Sequence, residues 1–228
     1  MDQRQLVLIG GSKGGVGKSL LTMTVLDYLT SKGEAPFLIE TDNSNPDTFK
    51  TYKNAVQGTV LDLDNVDGWL ELLNYCAYSN HRVTVINTAA RNNAAVAQFG
   101  ERLMLGLAEL PISLTTLWVI NTQLDSLKLL KQYRAALPLG AVHVVRNEFH
   151  GSNFALYDDS ELRADIEAHG GQSLTMPKLA ERVTQELYGK QRLTIEQVAS
   201  SPSSSFGHQI EAKRWRHCAA RMLDPVFV

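Results

Sequence analysis

Short apolar runs alternate with segments of helical periodicity along most of the chain. The runs are rich in Val, Ile and Leu, and they predict strands at about 5–10, 35–41, 82–88, 116–121, 141–146 and, weakly, 172–176. Between the runs, apolar residues recur every three or four positions and predict helices at about 18–32, 67–79, 93–109, 123–136, 159–169 and 178–189. This alternation is typical of an α/β fold with a mostly parallel sheet and helices on both of its faces.

A serine-rich stretch at residues 200–207 interrupts this pattern near the C-terminus. The helix predicted after it has apolar residues near one face: Ile210, Cys218, Met222 and Leu223. The same helix carries four basic residues: Lys213, Arg214, Arg216 and Arg221. We therefore expect one domain over residues 1–199, and a C-terminal segment, 200–228, whose helix packs on that domain or extends it.

The first predicted strand runs directly into the sequence GSKGGVGKS and then into the first predicted helix. A strand, a glycine-rich loop and a helix in this order are the context that a phosphate-binding loop requires. Glycine can adopt backbone angles closed to other residues, so that successive N–H groups point at phosphate oxygens, and the helix N-terminus adds partial positive charge. We expect Lys18 to reach the β- and γ-phosphates and Ser19 to hold Mg²⁺. The predicted nucleotide contacts are Gly14, Gly15, Val16, Gly17, Lys18, Ser19 and Leu20.

The loop sequence KGGVGKS, with Lys13 before the double glycine, resembles the deviant Walker A loop of the ParA/MinD ATPases. This resemblance implies a P-loop NTPase fold, ATP and Mg²⁺ as ligands, and a nucleotide-dependent homodimer in which Lys13 contacts the nucleotide of the other subunit. The segment that begins at Glu40 is similar to the family's acidic motif, in which one residue separates two aspartates. Glu40 replaces the first aspartate, whereas Asp42 keeps the second, which implies that Asp42 orients the attacking water and helps to hold Mg²⁺. The implied catalytic residues are thus Lys13, Lys18 and Asp42.

Two further positions extend the resemblance to about residues 5–190, and a third, Asn87, departs from it. Asn147 follows a late predicted strand and Pro177 follows the weak one, and both resemble elements that bind adenine in the family. Asn87 stands where the family has an aspartate that binds Mg²⁺ through water. Asparagine can accept a hydrogen bond from a metal-bound water but carries no negative charge. We therefore expect weaker Mg²⁺ binding and hydrolysis than is usual in the family, unless Asp42 compensates.

The C-terminal sequence, with its RLT segment, a short helix and a terminal basic helix, resembles plasmid-encoded members of this superfamily. These are the TraL-type conjugal-transfer ATPases and the StbB-type plasmid-stability ATPases. This resemblance implies a slow, partner-stimulated ATPase that acts in plasmid stability, partition or conjugal DNA transfer. It also implies a plasmid-encoded adaptor or DNA-binding protein as the partner, and it leaves open a direct DNA contact through the C-terminal basic helix.

The charge balance and the cysteine positions restrict the functions that this chain could have. The chain has 22 Lys and Arg against 24 Asp and Glu, a formal charge of −2, so any DNA contact would have to be a local basic patch. The two cysteines, Cys76 and Cys218, stand far apart, which excludes an iron–sulfur reductase of the nitrogenase type. Two other functions stay open: a small-molecule kinase or synthetase on the same fold, and a nucleotide-binding scaffold that has lost hydrolysis at Asn87.

The sequence MDQRQLVLIGGSK places only a short apolar run before two glycines. This run is too short for a signal peptide, and a membrane-spanning helix would need about 20 apolar residues, which occur nowhere in the chain. We therefore expect a cytoplasmic protein, and an interfacial membrane anchor is the least favoured of three roles for the C-terminal helix, after packing on the domain and contact with a partner or DNA.

Overall fold

A computed structural model describes residues 3–11, 14–90 and 92–227. Within these residues, seven strands form one sheet in which every neighbouring pair is parallel. The strands are β1 (Arg4–Gly11), β2 (Phe37–Glu40), β3 (Gln57–Val60), β4 (Val83–Asn87), β5 (Ile112–Ile120), β6 (Ala141–Asn147) and β7 (Ser173–Met176). Their order across the sheet is β3-β2-β4-β1-β5-β6-β7, so β1 lies in the centre between β4 and β5.

The same residues form ten α-helices around the sheet. They are α1 (Lys18–Ser31), α2 (Asp47–Tyr52), α3 (Val66–Tyr78), α4 (Asn92–Ala108), α5 (Leu124–Ala136), α6 (Ala155–Asp158), α7 (Glu161–Ala168), α8 (Glu181–Tyr188), α9 (Ile195–Ser200) and α10 (Phe206–Leu223). Among the helices described, none combines the length and the apolar character that crossing a membrane requires.

Two hydrophobic clusters lie on opposite faces of the sheet, because successive side chains of a strand point to opposite sides. In β1, Val7 and Ile9 belong to the first cluster, together with residues of α1, α8, α9 and α10. Leu6 and Leu8 belong to the second cluster, together with residues of α3, α4, α5 and α7. The predicted α/β class, with a parallel sheet covered on both faces, is confirmed.

The sequence pattern predicts six of the seven strands and misses β3. This strand reads Gln-Gly-Thr-Val, lies at the edge of the sheet and has no fully buried side chain, so it carries no apolar run to detect. Gly58 is required there, because a Cβ atom would lie 2.6 Å from the carbonyl oxygen of Leu38 in β2. β5 also begins at Ile112, four residues earlier than predicted.

The C-terminal helix α10 packs against α1 through a face that was predicted in part. Met222 and Leu223 are buried as predicted and Cys218 is half-buried, whereas Ile210, predicted to be on the same face, is 48% exposed. The buried face also includes Ala212, Trp215 and Ala219, all in the first cluster. On the same interface, Arg216 Nε donates to the buried carboxylate of Asp27 at 2.8 Å. Burial raises the pKa of Asp27 and the Arg216 guanidinium opposes this rise, so α10 supplies the counter-charge for an acid buried in α1.

Candidate functional site

The glycine-rich loop lies at the centre of the sheet's carboxyl edge, between the end of β1 and the start of α1. Gly15 has φ of 75° and Gly17 has φ of 112°, both in the left-handed region that favours glycine. Gly17 is required for a second reason, because a Cβ atom at this position would overlap the side-chain amide of Asn147. Since Gly17 is also the N-cap of α1, the first N–H groups of that helix receive no acceptor from the cap residue. This geometry suits an anion bound by backbone N–H groups.

Lys18 is the first residue of α1 and is only 7% exposed. Burial lowers the pKa of its ammonium group, whereas the nearby carboxylates of Asp42 and Glu40 raise it. An anionic ligand placed against Lys18 would offset the unfavourable burial of its charge. The predicted contact between Lys18 and a phosphate group is therefore consistent with the electrostatics of the site and stays a prediction.

The other predicted phosphate and Mg²⁺ contacts lie close to Lys18 in the fold. Ser19 is half-buried in the first turn of α1, and Asp42 is half-buried two residues after β2 ends. A backbone N–H, that of Asn45, donates to Asp42 Oδ1 at 3.1 Å. A hydroxyl and a carboxylate are oxygen donors of the kind that Mg²⁺ prefers, so these residues fit the ion. Lys13 lies outside the described residues, and its predicted contact in trans stays a prediction.

Asn87, at the end of β4, is hydrogen-bonded to Glu40, at the end of β2. The two residues are register partners in adjacent strands, and both are buried. Asn87 Nδ2 donates to Oε1 of Glu40 at 2.9 Å and to Oε2 at 3.0 Å. Asn87 Oδ1 accepts from the hydroxyl of Thr22, in α1, at 2.9 Å. The oxygen keeps a second lone pair, which could accept from a metal-bound water as predicted.

Burial raises the pKa of Glu40 from 4.5 to about 7, although hydrogen bonds from Asn87 and from the N–H of Asp42 partly oppose this rise. In the sequence, Glu40 and Asn87 are two separate departures from the family pattern. The register of β2 and β4 joins them into one pair, in which the carboxyl group lies on β2 and the amide on β4. Asp42, which was expected to compensate for Asn87, contributes its N–H to Glu40 at 3.0 Å.

A cavity of about 440 Å³ opens beside the loop and is lined by both residues predicted to bind adenine, Asn147 and Pro177. Its walls also include Gly15, Gly17, Leu20, Phe149, Lys178, Leu179, Glu181, Thr184, Gln185 and Tyr188. Asn147 is buried, donates from Nδ2 to the carbonyl oxygen of Val16 at 2.8 Å, and accepts at Oδ1 from the N–H of Phe149 at 3.0 Å. The sequence analysis missed Phe149 and the residues of α8, because only the tertiary fold brings them to the loop.

At the cavity rim, the ammonium of Lys178 lies 5.7 Å from the centre of the Phe149 ring, which is 57% exposed. An exposed aromatic ring at the mouth of a cavity can stack on a planar ligand. The cavity thus combines apolar walls, an aromatic ring and the Asn147 amide within one space that is continuous with the glycine-rich loop. This arrangement can hold a nucleoside whose phosphates extend over the loop.

Comparison with known sequences finds two similar proteins, one of them over nearly the whole chain. It is 48% identical to Protein MobD of Acidithiobacillus ferrooxidans over 225 residues, which cover 98% of both chains. It is also 36% identical to Protein TraL of Escherichia coli over 80 residues, 32% of each chain. No protein-family model matches the sequence.

Comparison with solved structures relates the fold to P-loop proteins. The MinD cell division protein of Aquifex aeolicus superposes with a TM-score of 0.55 at 13% identity, covering 96% of both chains. The same protein in its complex with MinC gives a TM-score of 0.56. The cell division protein FtsY of Thermotoga maritima gives 0.55 at 16% identity, and the chain spans 62% of its length. At these identities the likeness is one of fold.

The fold, the position of the glycine-rich loop and the relatives agree with the resemblance predicted from KGGVGKS, which is confirmed. The chain therefore belongs to the family of MobD, and its fold is that of the ParA/MinD-like P-loop proteins.

Proposed function

We propose that this protein is an ATP-driven dimerisation switch. ATP binds in the glycine-rich loop, two copies close face to face over two nucleotides, and slow hydrolysis separates them. The observation that carries this proposal is the continuity of the loop, the buried Lys18 and the 440 Å³ cavity along one edge of the sheet. This space matches the shape of a nucleotide, with a cation at one end and an apolar pocket with one amide at the other.

At the phosphate end, the loop N–H groups and Lys18 would hold the β- and γ-phosphates. Mg²⁺, when bound, supplies positive charge to the phosphate oxygens. The hydroxyl of Ser19 and the carboxylate of Asp42 would hold the ion, and Asn87 would reach it through water. Asp42 would also orient the attacking water, as the resemblance to the ParA/MinD family implies.

At the base end, Asn147 and Pro177 would bind adenine. Each polar group of the Asn147 amide makes one bond within the protein and keeps one further hydrogen or lone pair. Asn147 could therefore donate to one position of a base and accept from another. Its fixed orientation would favour the base whose edge offers the matching acceptor and donor.

The switch predicts opposite effects for Lys13 and Asp42 on the ATP-dependent size of the protein. Lys13→Ala should bind ATP but stay monomeric, because it removes the ammonium that would offset repulsion between two nucleotide-loaded faces. Asp42→Ala should bind ATP and accumulate as a dimer, because hydrolysis would stop after closure. Sedimentation velocity of both variants, without nucleotide, with ADP and with ATP, measures the difference.

The neighbouring residue Asn43 provides a matched control for this experiment. Asn43 is exposed and follows Asp42 directly, so Asn43→Ala changes the same turn without removing a carboxylate, and it should sediment as the wild type does. Identical sedimentation of Lys13→Ala and Asp42→Ala with ATP would contradict the switch. A Lys13→Ala protein that is fully active as a monomer would favour the small-molecule kinase.

We further propose that the switch acts in plasmid stability or in conjugal DNA transfer, with slow hydrolysis that a plasmid-encoded adaptor or DNA-binding protein stimulates. The resemblance to TraL-type and StbB-type proteins supports this role. DNA itself could bind along α10, where Lys213, His217 and Arg221 are exposed at intervals of four residues and so form one stripe. Arg214 and Arg216 are engaged by Glu211 and Asp27, at 2.8 Å in each case.

If DNA binds at this stripe, the variant Lys213→Ala/Arg221→Ala should lose at least about fivefold in affinity at physiological salt. The dependence of log affinity on log salt should become shallower by roughly 2, because two phosphate contacts are lost. Fluorescence anisotropy with a labelled duplex at several salt concentrations measures both. Lys128→Ala/Lys131→Ala, on exposed positions of α5, is the control with equal charge change. Equal losses in the two double variants would contradict a specific contact at α10.

A second candidate function, a small-molecule kinase or synthetase, is supported by a separate groove on the surface of the protein. The groove measures about 870 Å³ and lies beyond the carboxyl ends of β5 and β6, the same edge as the loop. Its polar lining includes Thr122, His150, Ser152, Asn153 and Asp159. An acceptor molecule bound there would make ATP turnover depend on an added metabolite, whereas the switch responds to a macromolecule.

A further inference from the structure

The four-residue connection between β7 and α8, residues 177–180, is held from behind by the C-terminal helix. We call this connection the base loop, because Pro177, Lys178 and Leu179 line the 440 Å³ cavity. At its start, the indole N–H of Trp215 donates to the carbonyl oxygen of Pro177 at 2.9 Å. At its end, the N–H of Ala180 faces the carboxylate of Glu211 and helps to lower the pKa of that group, after the larger effect of Arg214. The base loop is therefore hydrogen-bonded to α10 at its start and lies beside Glu211 of α10 at its end.

The two contacts are made by Glu211 and Trp215, which lie four positions apart on α10 and therefore on the same face of the helix. Trp215 is fully buried, so loss of its N–H would leave the half-buried Pro177 carbonyl oxygen without that donor. Glu211 lies next to the first turn of α8, where a carboxylate also interacts favourably with the helix dipole. Arg214 holds the Glu211 carboxylate in place through two bonds of 2.8 Å. Trp215 and Glu211 thus fix the base loop at two points.

The opposite side of α10 is tied to the helix that begins at the glycine-rich loop. Arg216 bonds to Asp27, and Asp224, which follows α10, accepts at 3.0 Å from the hydroxyl of Tyr28. One helix therefore contacts both α1, which carries Lys18 at its start, and the loop that forms the wall of the cavity. It therefore bridges the two.

We propose that α10 is a positioning element of the nucleotide site, and that Trp215 and Glu211 hold the base loop in the conformation that binds the base. This inference rests on the proposed function, because it takes the cavity to be the base site. It extends that function by making base recognition, but not phosphate binding, depend on the C-terminal helix. Neither residue lines the cavity, so both act through the base loop.

The test compares ATP with inorganic tripolyphosphate, which lacks the base, in the presence of Mg²⁺. Trp215→Phe keeps the aromatic ring but removes the N–H, and we expect it to weaken ATP binding at least tenfold while tripolyphosphate binding changes less than twofold. Isothermal titration calorimetry measures both affinities. Trp69→Phe is the matched control, because Trp69 is equally buried and its N–H donates to the carbonyl oxygen of Leu63, also at 2.9 Å, on the opposite face of the sheet.

Glu211 provides a second, independent variant if Trp215→Phe does not fold. Glu211→Ala removes the acceptor for the Ala180 N–H and should weaken ATP binding selectively, whereas Glu211→Gln keeps an acceptor oxygen and should restore most of the affinity. Equal affinities of the wild type, Trp215→Phe and Glu211→Ala for ATP would overturn the inference. So would a loss that is equal for ATP and tripolyphosphate, since that result indicates general damage. A wild-type protein that binds neither ligand would instead refute the proposed function.

Discussion

Changing Lys18 to alanine is expected to weaken ATP binding by roughly 100-fold and to abolish hydrolysis. A charge-assisted hydrogen bond contributes about 1.5–3 kcal/mol, and the upper half of this range corresponds to a loss of that size. Lys18 is buried at the start of α1, where the other predicted phosphate contacts are mostly backbone N–H groups that the substitution leaves in place. Isothermal titration calorimetry with ATP and Mg²⁺, together with phosphate release, measures the two effects.

Lys32→Ala is the matched control for this experiment. Lys32 follows the other end of α1 and forms an exposed ion pair with Asp224 at 3.1 Å, so its loss removes the same charge away from the loop. We expect wild-type ATP affinity for Lys32→Ala. Lys18→Ala should stay folded, because it removes an ammonium group whose burial is unfavourable. Normal ATP affinity and normal hydrolysis in a folded Lys18→Ala protein would together exclude the P-loop assignment.

The features of the fold that could be predicted from the sequence are those with a local chemical signature. Buried parallel strands appear in the sequence as apolar runs. The phosphate-binding loop appears as a cluster of glycines, because the positive φ angles at positions 15 and 17 favour that residue. The edge strand β3 has neither signature. The same limit applies to the site, where Asn147 and Pro177 could be proposed from the resemblance. The aromatic ring of Phe149 and the residues of α8 join them only through the packing of β6, β7 and α8.

The C-terminal helix illustrates a second limit, which is that a helical pattern predicts a face but not its partner. Trp215 is fully buried in the first hydrophobic cluster. Its hydrogen bond to Pro177 joins residues 38 positions apart, and no spacing in the sequence could indicate it. Ile210 was placed on the buried face because it is apolar, yet it is 48% exposed, and the small Ala212 and Ala219 are among the residues that occupy that face.

The Glu40–Asn87 pair predicts a pH-dependent stability for the protein without ligands. In the folded protein Glu40 keeps its proton up to about pH 7, because burial raises its pKa from the ordinary value of 4.5 to about 7. Between these pH values the folded state binds more protons than the unfolded state, so the free energy of unfolding falls as the pH rises. The loss should reach about 3 kcal/mol above pH 7. Glu40→Gln should abolish this loss, which urea unfolding at pH 5 and pH 8 in the presence of EDTA measures.

Asn87→Asp should enlarge the loss of stability at high pH, and a second substitution, Glu40→Gln, should reverse that effect. Asn87→Asp alone places two buried carboxyl groups within hydrogen-bond distance, so that they share one proton, and at pH 8 it should cost about 2 kcal/mol beyond the wild type. In the double variant Asn87→Asp/Glu40→Gln, an amide faces a carboxylate again, with the acid now on β4 instead of β2. We expect the double variant to recover the stability that Asn87→Asp loses, which is the signature of a direct pair in a double-mutant cycle.

The same double variant tests why the acid lies on β2 in this protein. Position 87 ends a strand adjacent to β1, where the family resemblance places the aspartate that binds Mg²⁺ through water. A carboxylate at this position should strengthen Mg²⁺ binding, and the double variant should therefore hydrolyse ATP faster than the wild type and at lower Mg²⁺ concentration. Asn87→Asp alone should show less of this gain, because the new carboxyl group shares one proton with Glu40 and is therefore neutral for part of the time. If stability is recovered in the double variant but the Mg²⁺ dependence and the rate stay at wild-type values, Asn87 does not face the metal and its role is confined to holding Glu40.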